Sequence, residues 1–162
     1  MVDKVFPVGG KVALVEATPV LTVHSSYAAN DFVGTSATPM SFTPCVLSKG
    51  GSGTIVTAAL IDYALQSVAG ELWLFDTTFT APTDSAAWTV TDAVMLTLVG
   101  IIPFPATDYY ASAANSACIV PNVGLSFKCA SGSNTLFGAF VTRGAPSYAS
   151  GDLTFRLLIW ED

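Results

Sequence analysis

Residues 53–63 read Gly-Thr-Ile-Val-Thr-Ala-Ala-Leu-Ile-Asp-Tyr, a long run of aliphatic and β-branched side chains. The run follows a glycine-rich turn, Lys49–Ser52, and this combination predicts a long β-strand. Glu71–Asp76 is a second run of this kind, and it begins directly after Ala69-Gly70. We therefore predict a second strand there, paired with the first as a hairpin.

The rest of the chain continues the strand pattern, with one exception. Thr91–Leu96 predicts a short helix, because Thr91 is a good N-cap residue and Asp92 suits the first turn. Thr77–Ala87 and Thr107–Asn115 are rich in small polar residues and are predicted to be loops. About eight short strands separated by such turns predict an all-β fold, an antiparallel β-sandwich of jelly-roll type with one short helix. The further predicted strands are Val20–Ser25, Leu98–Phe104, Ser116–Val120, Leu125–Cys129, Thr135–Arg143 and Leu153–Trp160.

The chain has 162 residues, which suits one domain, and no linker divides it. We place the sandwich in residues 18–162 and treat residues 1–17 separately. This N-terminal segment contains Val5, Phe6 and Val8 ahead of a Gly9-Gly10 break. It is predicted to be either the first strand of the sheet or an arm that reaches a neighbouring subunit, with the two glycines as a hinge.

The composition is unusually poor in charge. Only 11% of residues are charged and 51% are hydrophobic, whereas roughly a quarter of an ordinary domain is charged. The longest strongly apolar stretch, Ala93–Thr107, is too short to cross a bilayer and is interrupted by Pro103 and Pro105, so no membrane segment is expected. So few charges leave little to cover the outside of a soluble domain, which favours a structural subunit whose surface is buried by other subunits.

Several partners and locations are not expected. The net charge is −6 and the six basic residues are scattered, so we expect no nucleic-acid binding. The N-terminus lacks a basic segment followed by a long apolar core, so we expect no secretory signal peptide.

The three cysteines, Cys45, Cys118 and Cys129, are odd in number and irregular in spacing. This pattern predicts free, buried thiols in a reducing compartment rather than a disulfide framework. The spacings form no CxxC pair, and the single histidine, His24, does not complete a zinc site with them. We therefore expect no metal and no cofactor.

Candidate catalytic groups are few, and the chain is predicted not to be an enzyme. His24 lies in a strand-like run, and no serine has the surroundings of a nucleophile elbow. Asp76, Asp84 and Asp92 lie in turn-like contexts, where a structural role is expected. The enzyme alternative would use His24 or a pair of aspartates as acid and base.

Aromatic residues near the predicted loops suggest another kind of site. Trp88, Tyr109 and Tyr110 either pack a loop or a subunit interface, or form a platform that binds sugars. The second reading gives an alternative function, a carbohydrate- or receptor-binding module.

Three phrases of the sequence together resemble small virion structural proteins of tailed bacteriophages. The first is Tyr27–Gly34, and the second runs from Gly51 through Leu74-Phe75-Asp76 and Asp84 to Pro103. The third is Leu136–Arg143 with Tyr148 and Leu153–Leu157. The resemblance covers most of the chain and rests on turn and core residues.

The resemblance implies a jelly-roll body and a non-enzymatic capsid cement (decoration) protein that stabilises the head at capsomer junctions. The partners it implies are the major capsid protein and further copies of this chain, as a homotrimer. The implied location is the virion head, assembled in the host cytoplasm, and the alternative is a module of the phage tail or neck. The residues expected at interfaces are Val5, Phe6, Val8, Trp88, Tyr109 and Tyr110.

Overall fold

The computed structural model describes residues 11–21, 25–35 and 37–162. Within these ranges the chain forms strands, one short α-helix and one 3-10 turn at Ala106–Asp108. The helix is α1, Asp92–Met95. The strands are β1 Lys11–Ala17, β2 Ser25–Ser26, β3 Phe32–Val33, β4 Met40–Phe42, β5 Ser52–Asp62, β6 Gly70–Phe75, β7 Leu98–Phe104, β8 Tyr109–Ala111, β9 Ser116–Lys128, β10 Leu136–Thr142, β11 Ser147–Tyr148 and β12 Leu153–Glu161.

Two antiparallel sheets pack face to face. The first sheet has the order β1-β12-β5-β9-β8; the second has β3-β10-β6-β7, with β4 also paired to β10. Strands β3 and β4 both pair with β10 and can be counted as one interrupted strand. The main strands then pair from the two ends of the chain inward: β1 with β12, β3/β4 with β10, β5 with β9, and β6 with β7. This nested pairing is that of a jelly roll, so the predicted all-β sandwich of jelly-roll type is confirmed.

The core lies between the sheets and is built by the alternation of side chains along each strand. Phe155 of β12 crosses from the first sheet to meet Phe140 of β10 and Phe104 of β7, with ring centroids 5.0 Å and 6.0 Å apart. Gly70 leaves room for this group, because a Cβ at that position would lie 2.2 Å from Phe140 Cζ. The three aromatic rings therefore join both sheets at the centre of the sandwich.

The predicted hairpin between the first two runs is wrong, although both runs are strands. β5 pairs with β12 and β9 in the first sheet, and β6 pairs with β10 and β7 in the second. The chain changes sheet in residues 63–69, where the fully buried Asp62 carboxylate accepts hydrogen bonds from Ala64 N at 2.9 Å and Ser67 N at 2.7 Å. These bonds hold a connection that turns the chain away from its own sheet.

Two predicted strands, Ser116–Val120 and Leu125–Cys129, are a single strand, β9. The pairing with β5 shifts between Ile55 and Thr57, and opposite this shift Asn122 and Gly124 have positive φ of 56° and 66°. The sequence between the two runs therefore encodes a bulge within a strand and not a turn between strands.

Two other predictions need correction. Thr107–Asn115 is not wholly a loop, because Tyr109–Ala111 forms the edge strand β8. In the predicted strand Val20–Ser25, the backbone of Val20 and Leu21 is irregular. The Val20 carbonyl accepts a hydrogen bond from Thr35 Oγ1, a side-chain donor, where a strand would have a backbone donor. Ser25 belongs to β2, and the residues between lie outside the described ranges.

The short helix agrees with expectation, and the described part of the N-terminal segment is a strand. Thr91 caps α1 by accepting a hydrogen bond from Val94 N at 3.3 Å, and Asp92 occupies the first turn. Residues 11–17 form β1, which pairs with β12 along its whole length. Val5, Phe6, Val8 and the Gly9-Gly10 hinge lie outside the described residues.

Candidate interaction surface

The outward face of the first sheet carries apolar side chains where water-exposed sheets usually carry polar ones. On β1 and β12 the register pairs Val12 with Trp160 and Leu14 with Leu158. Val12, Leu14 and Trp160 are 56%, 53% and 56% exposed. We call the outward-facing residues Val12, Leu14, Thr57, Ala59, Ile119, Leu158 and Trp160 the apolar face.

The apolar face extends across two further strand pairings, β12 with β5 and β5 with β9. Leu158 lies opposite Thr57 of β5, and Ala59 of β5 lies opposite Ile119 of β9, which is 52% exposed. A shallow depression of about 280 Å³ lies among Leu14, Thr57, Ala59, Ile119, Arg156 and Leu158. A second depression of about 260 Å³ lies among Thr54, Val56, Asn122, Gly124 and Trp160. The face is therefore continuous from β1 to β9 and not flat.

One ion pair borders the centre of the apolar face. Arg156 Nε lies 2.7 Å from Glu16 Oε1, and both side chains stay substantially exposed. Arg156 lies opposite Ala59, so its aliphatic stem adds apolar area while its charge is neutralised by its neighbour on β1. Because Glu16 neutralises it, Arg156 can lie beside the apolar face without being an isolated charge.

The outward face of the second sheet is covered by the chain itself. The loop after β6 places Phe79 against Phe75, with centroids 4.6 Å apart, and Trp88 against Trp73 and Phe32, at 5.7 Å and 5.8 Å. These aromatics form a second hydrophobic cluster separate from the main core. The two outer faces of the sandwich therefore differ, since aromatic packing closes one and no described segment covers the other.

Of the sequence-predicted interface residues, the three that the structure describes, Trp88, Tyr109 and Tyr110, do not come together. Trp88 is half-buried in the second cluster, on the outside of the second sheet. Tyr109 points toward the core and donates a hydrogen bond to the Val68 carbonyl at 2.9 Å, whereas Tyr110 is 79% exposed on the outside of the first sheet. The three rings therefore form no common sugar platform, and Tyr110 alone shares a sheet face with the apolar face.

Sequence reasoning missed the residues that make up the apolar face. Leu157-Leu158-Ile159-Trp160 is apolar at four successive positions, and β1 places Val12 and Leu14 outward while Val15 points inward. A strand whose inward-facing and outward-facing positions are both apolar usually has both faces buried. This pattern was the sequence signal that could have predicted the apolar face.

The candidate catalytic carboxylates have structural partners. Asp84 is buried and accepts hydrogen bonds from Tyr27 Oη at 2.8 Å and Gly34 N at 3.2 Å. Asp76 accepts one from Thr77 Oγ1 at 2.7 Å, and Asp92 begins α1. His24 lies outside the described residues, and among those described no group of three His, Cys, Asp or Glu side chains is placed to hold a metal ion.

An ion pair beside the second cluster ties three parts of the chain together. Glu71 Oε2 accepts hydrogen bonds from Arg143 Nη2 and from Trp73 Nε1, and Arg143 Nη1 also donates to Asn30 Oδ1. The Arg143 guanidinium lowers the pKa of the Glu71 carboxyl; partial burial opposes this, and the Trp73 hydrogen bond adds to the lowering. The carboxylate is therefore stabilised in its charged form.

Glu71→Gln is expected to lower the free energy of unfolding by about 1 kcal/mol at pH 7, after allowing for solvent screening of a partly exposed pair. Because the folded pKa of Glu71 is depressed, the stabilisation is present above its unfolded value of about 4.3 and is lost as the pH falls through the folded value. Urea unfolding of both proteins from pH 7 to pH 3 measures this difference. A stability gap that stays constant over that range contradicts the charge-based explanation.

Comparison with known proteins finds no matching family model, no matching curated protein and no matching solved structure. In the part of the chain that the structure describes, no helix has the length and apolar character needed to cross a membrane.

Proposed function

We propose that this chain is a non-enzymatic virion structural protein, a capsid decoration (cement) protein that binds at capsomer junctions and stabilises the head. The observation that carries the proposal is the apolar face of the first sheet, with Val12, Leu14, Ile119 and Trp160 all more than half exposed. Large contiguous apolar surfaces on soluble proteins mark places where another protein docks. The resemblance of the turn and core phrases to phage virion proteins supports a virion as the assembly.

The mechanism is contact between subunits. Burying apolar surface contributes roughly 25 cal/mol per Å², so a modest contact repeated over a shell adds a large total stabilisation. The Glu16–Arg156 pair gives the same surface a polar element that fixes the orientation of a partner. We assign the partners as the major capsid protein and copies of this chain, arranged as a trimer, on heads assembled in the host cytoplasm.

The alternative of a carbohydrate- or receptor-binding module receives less support. It requires Trp88, Tyr109 and Tyr110 to share a surface, and Trp88 and Tyr110 lie on opposite outer faces of the sandwich. A decoration protein needs only an uncovered docking face, and no segment of the described ranges covers the apolar face of the first sheet.

The apolar face is tested by paired substitutions. Leu14→Ser combined with Trp160→Ser is expected to weaken self-association at least tenfold, because both side chains lose buried apolar contacts in the complex. Sedimentation velocity over the micromolar range measures this, with wild type expected to be a trimer. Leu96→Ser is the matched control, since Leu96 is 89% exposed beside α1 and away from this face.

Two results would contradict the proposal. If the wild-type chain remains monomeric throughout the micromolar range, the proposed self-association is wrong. Density of an intact particle that places this chain away from the capsomer junctions removes the decoration role, whatever the oligomeric state.

Deleting Met1–Gly10 is expected to leave a folded sandwich and to weaken assembly. β1 begins at Lys11 and pairs with β12 from that residue onward, so the deletion removes no described strand pairing. Phe6→Ala is expected to weaken association by more than about 1 kcal/mol, the scale of an interface hot spot, without changing the melting temperature of the isolated chain. An unfolded deletion variant would make the segment integral to the fold, and unchanged folding and association would leave it without a structural role.

A further inference from the structure

Two of the three cysteines are neighbours at one end of the sandwich. Cys45 lies after β4, which belongs to the second sheet, and Cys129 directly follows β9 of the first sheet. Their sulfur atoms are 3.4 Å apart although the residues are 84 positions apart in the chain. Both side chains are buried, and Cys118 occupies a different part of β9 that faces the core between Leu60 and Tyr109.

The backbone holds both residues in place. Cys45 N donates a hydrogen bond to the Asn134 carbonyl at 2.9 Å, and Cys129 N donates one to the Gly51 carbonyl at 2.9 Å. A disulfide has an S–S length of about 2.05 Å, so the sulfurs must approach by little more than 1 Å from their present separation. The proposed bond requires the sulfur atoms to approach by this amount, while the backbone hydrogen bonds keep the two residues next to each other.

We propose that Cys45 and Cys129 are an oxidation site at which a peroxide joins them in a reversible disulfide that staples the two sheets together. The Cys129 sulfur attacks hydrogen peroxide, forming a sulfenic acid and releasing one water. The Cys45 sulfur then attacks the sulfenic sulfur, forming the S–S bond and releasing the second water. Two thiols lose two electrons in total, and one peroxide is reduced to two waters.

The surroundings determine how fast this reaction runs. Burial raises the pKa of both thiols, so little reactive thiolate is present at neutral pH and the reaction speeds up as the pH rises. The contact between the two sulfurs adds to this burial-induced rise in pKa for Cys45 and opposes it for Cys129, which favours Cys129 as the attacking group. The pair is therefore expected to stay reduced where thiol reductants are abundant and to form the disulfide where peroxide is present.

The disulfide would stabilise the folded chain. It encloses a loop of more than 80 residues, which greatly restricts the unfolded chain. Because the loop connects the end of β4 to the end of β9, the cross-link also opposes separation of the sheets. This inference stands independently of the decoration role, since it rests on two thiols of one chain.

The test uses the full-length protein, purified under reducing conditions and then treated with millimolar hydrogen peroxide. Before treatment, alkylation in denaturant should modify three thiols; afterwards it should modify only Cys118, with the intact mass lower by two hydrogen atoms. The melting temperature should rise by at least about 5 °C and return to its first value on adding dithiothreitol. Cys118→Ser is the matched control, which should still lose both remaining thiols.

Cys45→Ser should keep Cys129 unpaired and show no rise in melting temperature. If that variant does not fold, peptide mapping of oxidised wild type and of Cys118→Ser still decides the pairing. Three reactive thiols after treatment, a gain of oxygen mass in place of hydrogen loss, or a disulfide that contains Cys118 or links two chains would overturn the proposal.

Discussion

Phe155→Ala is expected to lower the free energy of unfolding by about 3–5 kcal/mol. The Phe155 ring is fully buried and meets Phe140 and Phe104 from the opposite sheet. Alanine removes these contacts and leaves a cavity that two rigid sheets do not close easily. Urea denaturation monitored by tryptophan fluorescence and by circular dichroism measures the loss.

A conservative control separates lost volume from lost aromatic contact. Phe155→Leu keeps most of the apolar volume and should cost clearly less than the alanine variant. Phe137→Ala removes a ring from the same sheet as Phe140, outside the main core, and should also cost less. A loss below about 1 kcal/mol for Phe155→Ala would mean that this ring does not join the two sheets.

Asp62→Ala is expected to lower the free energy of unfolding by about 2–4 kcal/mol. The carboxylate is fully buried and is the acceptor for the backbone N–H groups of Ala64 and Ser67. Removing it leaves these partly buried donors without their acceptor where the chain crosses between the sheets, and an unsatisfied donor costs about 1–3 kcal/mol when it is fully buried. Chemical denaturation gives the change in stability, and amide hydrogen exchange of residues 63–69 shows where protection is lost.

Asp62→Asn is the matched variant. Its amide oxygen can still accept one of the two hydrogen bonds, while its NH₂ group opposes the other donor, so the loss should be intermediate. Equal losses for the two variants would show that the charge of Asp62, rather than its acceptor geometry, holds the connection.

The strands were largely predictable because their signals are local. β5, β6, β7, β10 and β12 each coincide with an apolar, β-branched run, and α1 follows a recognisable N-cap at Thr91. The errors concern what a strand pairs with. β5 and β6 looked like a hairpin, and the Asp62-centred connection instead sends them into different sheets.

The bulge in β9 was a second kind of error. Pro121, Asn122 and Gly124 have the composition of a turn, and the positive φ of Asn122 and Gly124 is compatible with one. Neighbouring β5 continues alongside both halves, so the same residues become an irregularity within a strand. Local sequence specifies the backbone angles at such a point, while the partner strand determines whether the chain reverses.

Composition by itself indicated a protein with too few charges to cover its own exterior, and local patterns indicated an all-β chain. Neither shows which apolar residues remain outside. Trp88 belongs to a loop that packs it against Trp73 on the second sheet. Trp160 is exposed because no described segment covers its side of the first sheet. Pairing of strands and packing of the sheets join residues far apart in the chain, such as Leu14 with Leu158 and Cys45 with Cys129. Such contacts depend on long-range geometry, so the location of the apolar face and of the thiol pair emerged only once the sandwich was assembled.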